Sequence, residues 1–238
     1  MSVDDEIAGR IDAIRARIAA AAERAGRAPE SVRLIGVAKR VPAERVVAAV
    51  RAGLRDVAEN YVQEARAKLA EIRAILETSG HKCPNWHFIG QLQRNKAGPV
   101  ASDFDWVQTV DRERLGRELN RRAASAGRSL EVLLQVDLSG EQGKGGVAPG
   151  ALPALLAAAA DWPQLGIRGL MAIPAPVETP EAARAAFARL RTLRDALRDE
   201  PGGEGLSELS MGMSGDFEVA VEEGATMVRV GTAIFGAR

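Results

Sequence analysis

Isoleucines recur at helical spacing near the start of the chain. They are Ile7, Ile11, Ile14 and Ile18, with arginines between them. This four-three-four spacing predicts a helix with one apolar face, and Gly26 is the residue type that commonly follows a helix end. The next apolar run, 34–39 (LIGVAK), has the length and composition of a buried β-strand. The pattern therefore predicts a helix followed by a strand.

The same succession, a segment of helical spacing followed by a short apolar run, repeats along the whole chain. Segments of helical spacing separate the apolar runs, so strands and helices are predicted to alternate, which indicates parallel strands joined by right-handed crossovers. Eight such units in 238 residues match a closed (β/α)8 TIM barrel. We expect one α/β domain over residues 1–238, with a doubly wound open sheet as the alternative. The predicted strands are 34–39, 54–58, 86–89, 106–110, 131–138, 167–173, 206–213 and 227–230.

Composition narrows the class of partner. Lys and Arg together number 32, as do Asp and Glu, and this neutral total argues against nucleic acid or an anionic membrane surface. The single cysteine, Cys83, excludes an intrachain disulfide and makes a poor metal set with His81 and His87. The opening MSVDDE is unlike a signal peptide, and no apolar run is long enough to cross a bilayer. We expect a soluble, cytoplasmic protein without a structural metal.

Lys39 is the charged residue at the end of the first predicted strand. Alternation puts it on the same face as Ile35 and Val37. An ammonium that loses solvation at this position has a lowered pKa and a larger fraction of nucleophilic amine, which is what a Schiff-base lysine requires. The alternative is a lysine that extends to solvent or pairs with a carboxylate.

The residues after predicted strands seven and eight are typical of a phosphate site. In a (β/α)8 barrel the loops after these two strands commonly hold phosphate. Ser214 opens the helix after strand seven, and Gly231-Thr232 follow strand eight. Backbone N–H groups at such positions favour an anion. A plain helix cap at Ser214 and a turn at Gly231 are the alternatives.

Arg229 shares strand parity with Gly231, which predicts a guanidinium inside the barrel near the Lys39 terminus. A buried arginine needs an acceptor. The acceptor is expected to be an acidic side chain such as Glu59 or a ring nitrogen of a ligand. A lysine for an aldehyde, a phosphate cradle and a donor facing a ring together describe a site for pyridoxal 5′-phosphate (PLP).

Six ordered stretches, spread from the first predicted strand to the last residues, look like the signatures of the pyridoxal phosphate homeostasis proteins. They are LIGVAK, ENYVQE, WHFIGQLQRNK, IRGLMAIPAP, LSMGMSGDFEVAVEEG and TMVRVGTAIFGAR. That family resembles the barrel domain of alanine racemase. The resemblance implies a PLP site with the following residues: Lys39 for the Schiff base; Ser214, Gly231 and Thr232 for the phosphate; Arg229 for the pyridine nitrogen; Asn60 and His87 near the cofactor.

The resemblance also implies a non-catalytic role, in which the protein carries PLP in intracellular PLP homeostasis and hands it to apo-enzymes that depend on it. We expect a monomer or weak dimer. An arginine at the ring nitrogen disfavours a proton there, so the ring becomes a weaker electron sink. A PLP-dependent amino-acid racemase with His87 or Tyr61 as its second acid/base group is the alternative. A cofactor-free Schiff-base aldolase is a third hypothesis.

Some positions depart from the family pattern or leave their role open. The family often has serine before the Schiff-base lysine and a smaller or uncharged residue after it, whereas this chain has Ala38 and Arg40. Lys144, in the loop GEQGKGG, matches a position that is usually lysine in the family. We interpret Lys144 as a solvated loop residue, with a secondary cofactor contact as the alternative.

Overall fold

Eight parallel strands close into a barrel in the computed structural model of the chain, which describes residues 2–140 and 145–236. The strands follow one another in chain order around the barrel, and the last pairs with the first. This closure confirms the predicted (β/α)8 fold, and the open-sheet alternative is wrong. The strands are β1 Arg33–Val37, β2 Asp56–Glu59, β3 Asn85–Phe88, β4 Trp106–Val110, β5 Leu130–Gln135, β6 Leu165–Met171, β7 Glu208–Ser210 and β8 Met227–Val230.

Helices separate the strands and cover the outside of the barrel. The isoleucines predicted to form one apolar face of the first helix are all buried, and that helix contacts the second, eighth and ninth helices. No helix in residues 2–140 and 145–236 is long and apolar enough to span a bilayer. The α-helices are α1 Val3–Arg24, α2 Ala43–Arg51, α3 Val62–Thr78, α4 Ala97–Asp103, α5 Glu113–Ser125, α6 Leu152–Ala158, α7 Arg184–Arg198, α8 Phe217–Glu222 and α9 Thr232–Phe235.

Alternation along the strands divides the apolar side chains between two cores. Val57, for example, packs in the outer core between sheet and helices, whereas its neighbour Ala58 lies inside the barrel. The barrel interior is small and contains Ile35, Ala58, Ile89, Trp106, Leu133, Met171 and Met227, with Val37 packed against them. The parity of a strand residue therefore decides whether it faces a helix or the interior.

Four strands, β1, β5, β6 and β7, end two or three residues earlier than the sequence predicts. The seventh strand, predicted over 206–213, covers only Glu208–Ser210, and the left-handed backbone of Gly212, with φ of 89°, turns the chain beyond it. The first strand ends at Val37 rather than at Lys39, because the chain turns over 39–40. Arg40 adopts a left-handed conformation in this turn, with φ of 59°. The turn carries Lys39 clear of the sheet.

Gly116 in α5 and Gly9 in α1 form a matched pair for testing the outer core. A Cβ on Gly116 would lie 2.3–2.6 Å from ring atoms of the buried Trp162, whereas a Cβ on Gly9 meets nothing within 4 Å. We expect Gly116→Ala to lower the free energy of unfolding by about 1–3 kcal/mol, since the ring has no room to retreat. Gly9→Ala should raise it by about 0.5–1 kcal/mol. Urea denaturation of both variants checks the pair, and equal effects would contradict this packing.

Candidate functional site

Lys39 lies just beyond the carboxyl end of β1, in the turn that follows Ala38. Its side chain is half-buried. Among the described residues, its amine has neither a hydrogen-bond partner nor a carboxylate within ion-pair distance. Within those residues the carboxylate pairing expected as the alternative is not formed, and the Lys39 amine lies at the barrel mouth without a partner there.

A buried ion pair holds the backbone just before Lys39. The Lys68 ammonium, on α3, donates to the carbonyl oxygen of Ala38 at 2.8 Å and to Glu59 Oε1 at 2.7 Å. Burial raises the pKa of the fully buried Glu59, although Lys68 opposes this shift. Lys68 was not predicted as a site residue, but its place three residues after the buried Ala65 puts it on the helix face that meets the barrel. The ion pair fixes the point from which Lys39 projects.

The loops after β7 and β8 meet beside the end of β1. The backbone N–H of Gly231 donates to Ser214 Oγ at 3.4 Å. A Cβ on Gly231 would lie 3.3 Å from the carbonyl oxygen of Val37, so the two strands approach closely here. A cavity of about 490 Å³ opens at this point, and its lining includes Val37, Gly231 and Thr232. The structure therefore brings Ser214, Gly231 and Thr232 together beside Val37, which lies two residues before Lys39.

Free backbone donors surround this junction. The N–H groups of Gly215, Thr232 and Ala233 have no acceptor in the described part of the chain. Thr232 and Ala233 are the first residues of α9, so their N–H groups have no partner within the helix. A Cβ on Gly215 meets nothing within 4 Å, and the space around it is open. Converging N–H donors beside open space suit an anion. We call Ser214, Gly215, Gly231, Thr232 and Ala233 the donor cradle.

Arg229 lies inside the barrel, as its parity predicts, and is 3 % exposed. Its strand pairs with β1 so that Arg229 is opposite Ile35, four residues before Lys39. The guanidinium donates to Ser210 Oγ at 2.6 Å and to the carbonyl oxygen of Ala172 at 2.9 Å. Burial lowers its pKa to about 10. Glu59 is not its acceptor: that expectation is wrong, because Glu59 shares parity with Val57 and faces α3.

Asn60 follows β2 directly and is half-buried. Its side-chain oxygen Oδ1 is inaccessible to solvent and lacks a hydrogen-bond partner within the described residues. The end of β3 is held against it, since a Cβ on Gly90 would lie 2.0 Å from the Asn60 carbonyl oxygen. An unpaired buried acceptor at a barrel mouth is the kind of group that a ligand satisfies.

His87 lies deeper and has both ring nitrogens engaged. Nε2 lies 3.0 Å from Asp56 Oδ1, and Nδ1 lies 3.0 Å from Gln108 Nε2. The ring is fully buried and stacks on Trp106 with centroids 5.4 Å apart. Burial lowers the pKa of His87, against the effect of Asp56. The structure does not bring His87 to the amine of Lys39, but links it to Arg229 through Gln108 and Ser210.

The lowered pKa of His87 predicts a pH dependence of stability. In the unfolded chain His87 binds a proton near pH 6.5, whereas the buried ring of the folded chain does not. The free energy of unfolding therefore decreases as the pH falls below about 6.5. This contribution reaches at most about 1.4 kcal/mol per pH unit. Chemical denaturation between pH 5.5 and 7.5 should show it in wild type and in His81→Gln, whose histidine is exposed. Equal slopes in His87→Gln and wild type would contradict the assignment.

Comparison with known proteins places the chain among its relatives. Residues 10–238 match the family described as the alanine racemase N-terminal domain. The pyridoxal phosphate homeostasis protein of Pseudomonas aeruginosa is 49 % identical over 232 residues, which cover 98 % of this chain and 96 % of the relative. The chain belongs to the pyridoxal phosphate homeostasis protein family. Its resemblance to that family, expected from the six sequence stretches, is confirmed.

Other members of the pyridoxal phosphate homeostasis family are similarly close. The member from Escherichia coli K12 is 43 % identical, over 98 % of this chain and 97 % of its own length. The PipY protein of Synechococcus elongatus, in a structure with PLP bound, is 40 % identical. It superposes with a TM-score of 0.83 over 97 % of this chain and all of its own. The match extends over essentially the whole barrel.

The structure also reveals side chains around the site that the sequence did not single out. Lys68 anchors the backbone of Ala38 just before Lys39, and Gln108 and Ser210 connect Arg229 to His87. Lys144, considered as a secondary cofactor contact, lies outside the described residues. Within them, no group of three or more His, Cys, Asp and Glu side chains is placed to hold a metal ion.

Proposed function

We propose that this protein binds PLP covalently through the amine of Lys39 and serves PLP homeostasis without catalysing a reaction. One observation carries the proposal: Lys39, whose amine has no partner among the described residues, follows Val37 by two residues, and Val37 closely approaches Gly231 of the donor cradle. PipY, 40 % identical over its whole chain, has been solved with PLP bound. The names of the curated relatives support the homeostasis role.

The side chains at the mouth fit the chemistry of PLP. Its aldehyde condenses with a primary amine with loss of water, and Lys39 offers that amine. The donor cradle suits the phosphate, since free N–H groups and two helix starts favour a dianion. Asn60 Oδ1 lacks a partner within the described residues, and Arg229 offers donors to a ring nitrogen. The aldehyde, the phosphate and the ring nitrogen of the ligand thus each have a matching group on the chain.

The surroundings of the ring favour storage over catalysis. Arg229 is a permanent donor, so it opposes protonation of a ring nitrogen and weakens the ring as an electron sink. The two candidates for a second acid or base suit the role poorly. His87 has both nitrogens engaged, and Tyr61 is 43 % exposed and lies beside Arg40. We therefore favour a carrier that supplies apo-enzymes over a racemase.

Proton exchange tests this choice directly. The protein loaded with PLP is incubated in deuterated water with a panel of amino acids, and loss of the α-proton signal is followed by NMR. We expect exchange no faster than with free PLP at the same concentration, because neither His87 nor Tyr61 is placed to serve as the second acid/base group. Exchange that is clearly faster, and that Lys39→Ala abolishes, would contradict the non-catalytic role and favour the racemase.

A further inference from the structure

A continuous chain of buried polar side chains crosses the barrel interior. It runs from β8 through β7, β4 and β3 to β2, and each member is at most 4 % exposed. We call it the interior polar chain. Its contacts are Arg229 Nη1 to Ser210 Oγ at 2.6 Å, Ser210 Oγ to Gln108 Oε1 at 2.7 Å, Gln108 Nε2 to His87 Nδ1 at 3.0 Å and His87 Nε2 to Asp56 Oδ1 at 3.0 Å.

The two ends of the interior polar chain fix the direction of every hydrogen bond in it. An arginine only donates, and an ionised carboxylate only accepts. His87 must therefore donate from Nε2 to Asp56, which leaves Nδ1 as the acceptor of the Gln108 amide. The Gln108 oxygen then accepts from the hydroxyl of Ser210, whose oxygen accepts from Arg229. All four bonds point the same way, and aligned bonds of this kind strengthen one another.

The charges at the ends are complementary. Among the described residues, Arg229 has no carboxylate within ion-pair distance, although its charge is almost fully buried. Asp56 is the carboxylate at the far end, where Asn85 also donates to it at 3.0 Å. Burial alone would raise the pKa of Asp56, but the hydrogen bond from His87 brings it below the usual value. The interior polar chain thus joins a buried cation to a buried anion.

The position of these polar groups is unusual for a barrel interior. Bulky apolar side chains dominate the interior of such barrels, and they surround this chain too. A buried polar network often contributes less to stability than well-packed apolar groups of the same volume. Its presence here therefore indicates a role other than stability. The end of this network is Arg229, which lies two residues before Gly231 of the donor cradle. Through Arg229 the network therefore reaches the side of the barrel where the ligand is proposed to bind.

We propose that Ser210, Gln108, His87 and Asp56 are positioning residues, which fix the direction and the charge of the Arg229 guanidinium toward the ring nitrogen of PLP. This inference rests on the proposed function. The network acts through Arg229 and touches neither Lys39 nor the donor cradle. Its loss should therefore change the state of the ring nitrogen and leave the attachment of the ligand intact.

Matched variants separate this role from a merely structural one. Ser210→Ala removes the side-chain acceptor of Arg229 and leaves the Ala172 carbonyl, whereas Ser210→Thr keeps the hydroxyl. Asp56→Asn removes the distant charge at nearly constant shape, and Asp103→Asn does the same on the surface, where Asp103 pairs with Arg66. The readouts are the ¹⁵N NMR signal of PLP labelled at the ring nitrogen, PLP affinity, and the side-chain ¹⁵N signals of Arg229 in PLP-free protein.

We expect Ser210→Ala and Asp56→Asn each to shift the ring-nitrogen signal, while Ser210→Thr and Asp103→Asn keep the wild-type value. Ser210→Ala should still attach PLP at Lys39, with an affinity about tenfold weaker because the guanidinium has lost a hydrogen-bond partner. An unchanged ring-nitrogen signal in folded Ser210→Ala overturns the inference. If that variant does not fold, an unchanged signal in Asp56→Asn does so.

Failure of the proposed function gives a different pattern. Wild-type protein that binds no PLP would overturn the proposed function. The Arg229 signals of the PLP-free protein then test whether the interior polar chain couples Asp56 to Arg229. A shift of those signals in Asp56→Asn, absent in Asp103→Asn, supports the coupling between Asp56 and Arg229. Identical Arg229 signals in Asp56→Asn and wild type overturn it.

Discussion

We expect the replacement of Lys39 with alanine to abolish covalent attachment of PLP and to leave the barrel folded. In the proposed function the Lys39 amine is the group that attaches, and the neighbouring Lys68 does not replace it, because Lys68 is held by Glu59 and the Ala38 carbonyl. The side chain is half-buried and without partners among the described residues, so its loss changes the free energy of unfolding by no more than about 0.5 kcal/mol. Mass spectrometry after borohydride reduction measures attachment, and urea denaturation measures stability.

Lys82→Ala is the matched control for this experiment. Lys82 is exposed and lies before β3, at the opposite end of the barrel from the carboxyl ends of the strands. It should keep full attachment. Retained attachment in Lys39→Ala would move the site to another lysine, with Lys144 the first to examine.

A carboxylate in the donor cradle should weaken PLP binding strongly. The space around Gly215 accepts a side chain, so Gly215→Asp places a negative charge beside the phosphate site without a clash. Repulsion between two charges about 5 Å apart in a partly buried site corresponds to a loss of affinity of roughly 10- to 100-fold. Gly215→Asn has nearly the same shape without the charge and should bind PLP almost as wild type does.

Pyridoxal, which lacks the phosphate, tests whether the effect of the Gly215 variants depends on that group. Absorbance titrations with PLP and with pyridoxal are made on both Gly215 variants. The aspartate should weaken the binding of PLP and leave that of pyridoxal unchanged. Equal affinities of Gly215→Asp and Gly215→Asn for PLP would mean that the phosphate lies elsewhere.

The fold was predictable from local pattern because each β/α unit carries its own signal. The helical spacing of the isoleucines in α1 and the short apolar runs of the strands reflect burial on one side or both. Strand parity also placed Arg229 in the interior correctly. The ends of strands were less predictable, since Gly212 and the turn at Lys39–Arg40 stop them through backbone conformation rather than through polarity.

Contacts across the barrel were harder to predict, because they depend on which strands face one another. Glu59 was expected as an acceptor for Arg229, but its parity points it outward to Lys68. Gln108 and Thr109 interrupt an otherwise apolar strand, and Gln108 shares parity with the interior residue Trp106, which signals an interior polar contact without naming its partners. Those partners, His87 and Ser210, lie 21 and 102 residues away along the chain. Only the closed register brings them together.

The measurement that tests the central claim most directly is borohydride reduction of the wild-type protein with PLP, followed by peptide mapping of the modified residue. We predict one modified lysine, Lys39, at one PLP per chain. Label that is absent from Lys39, or that is spread over surface lysines such as Lys82, would contradict the account and leave the chain with the family's barrel and without its chemistry.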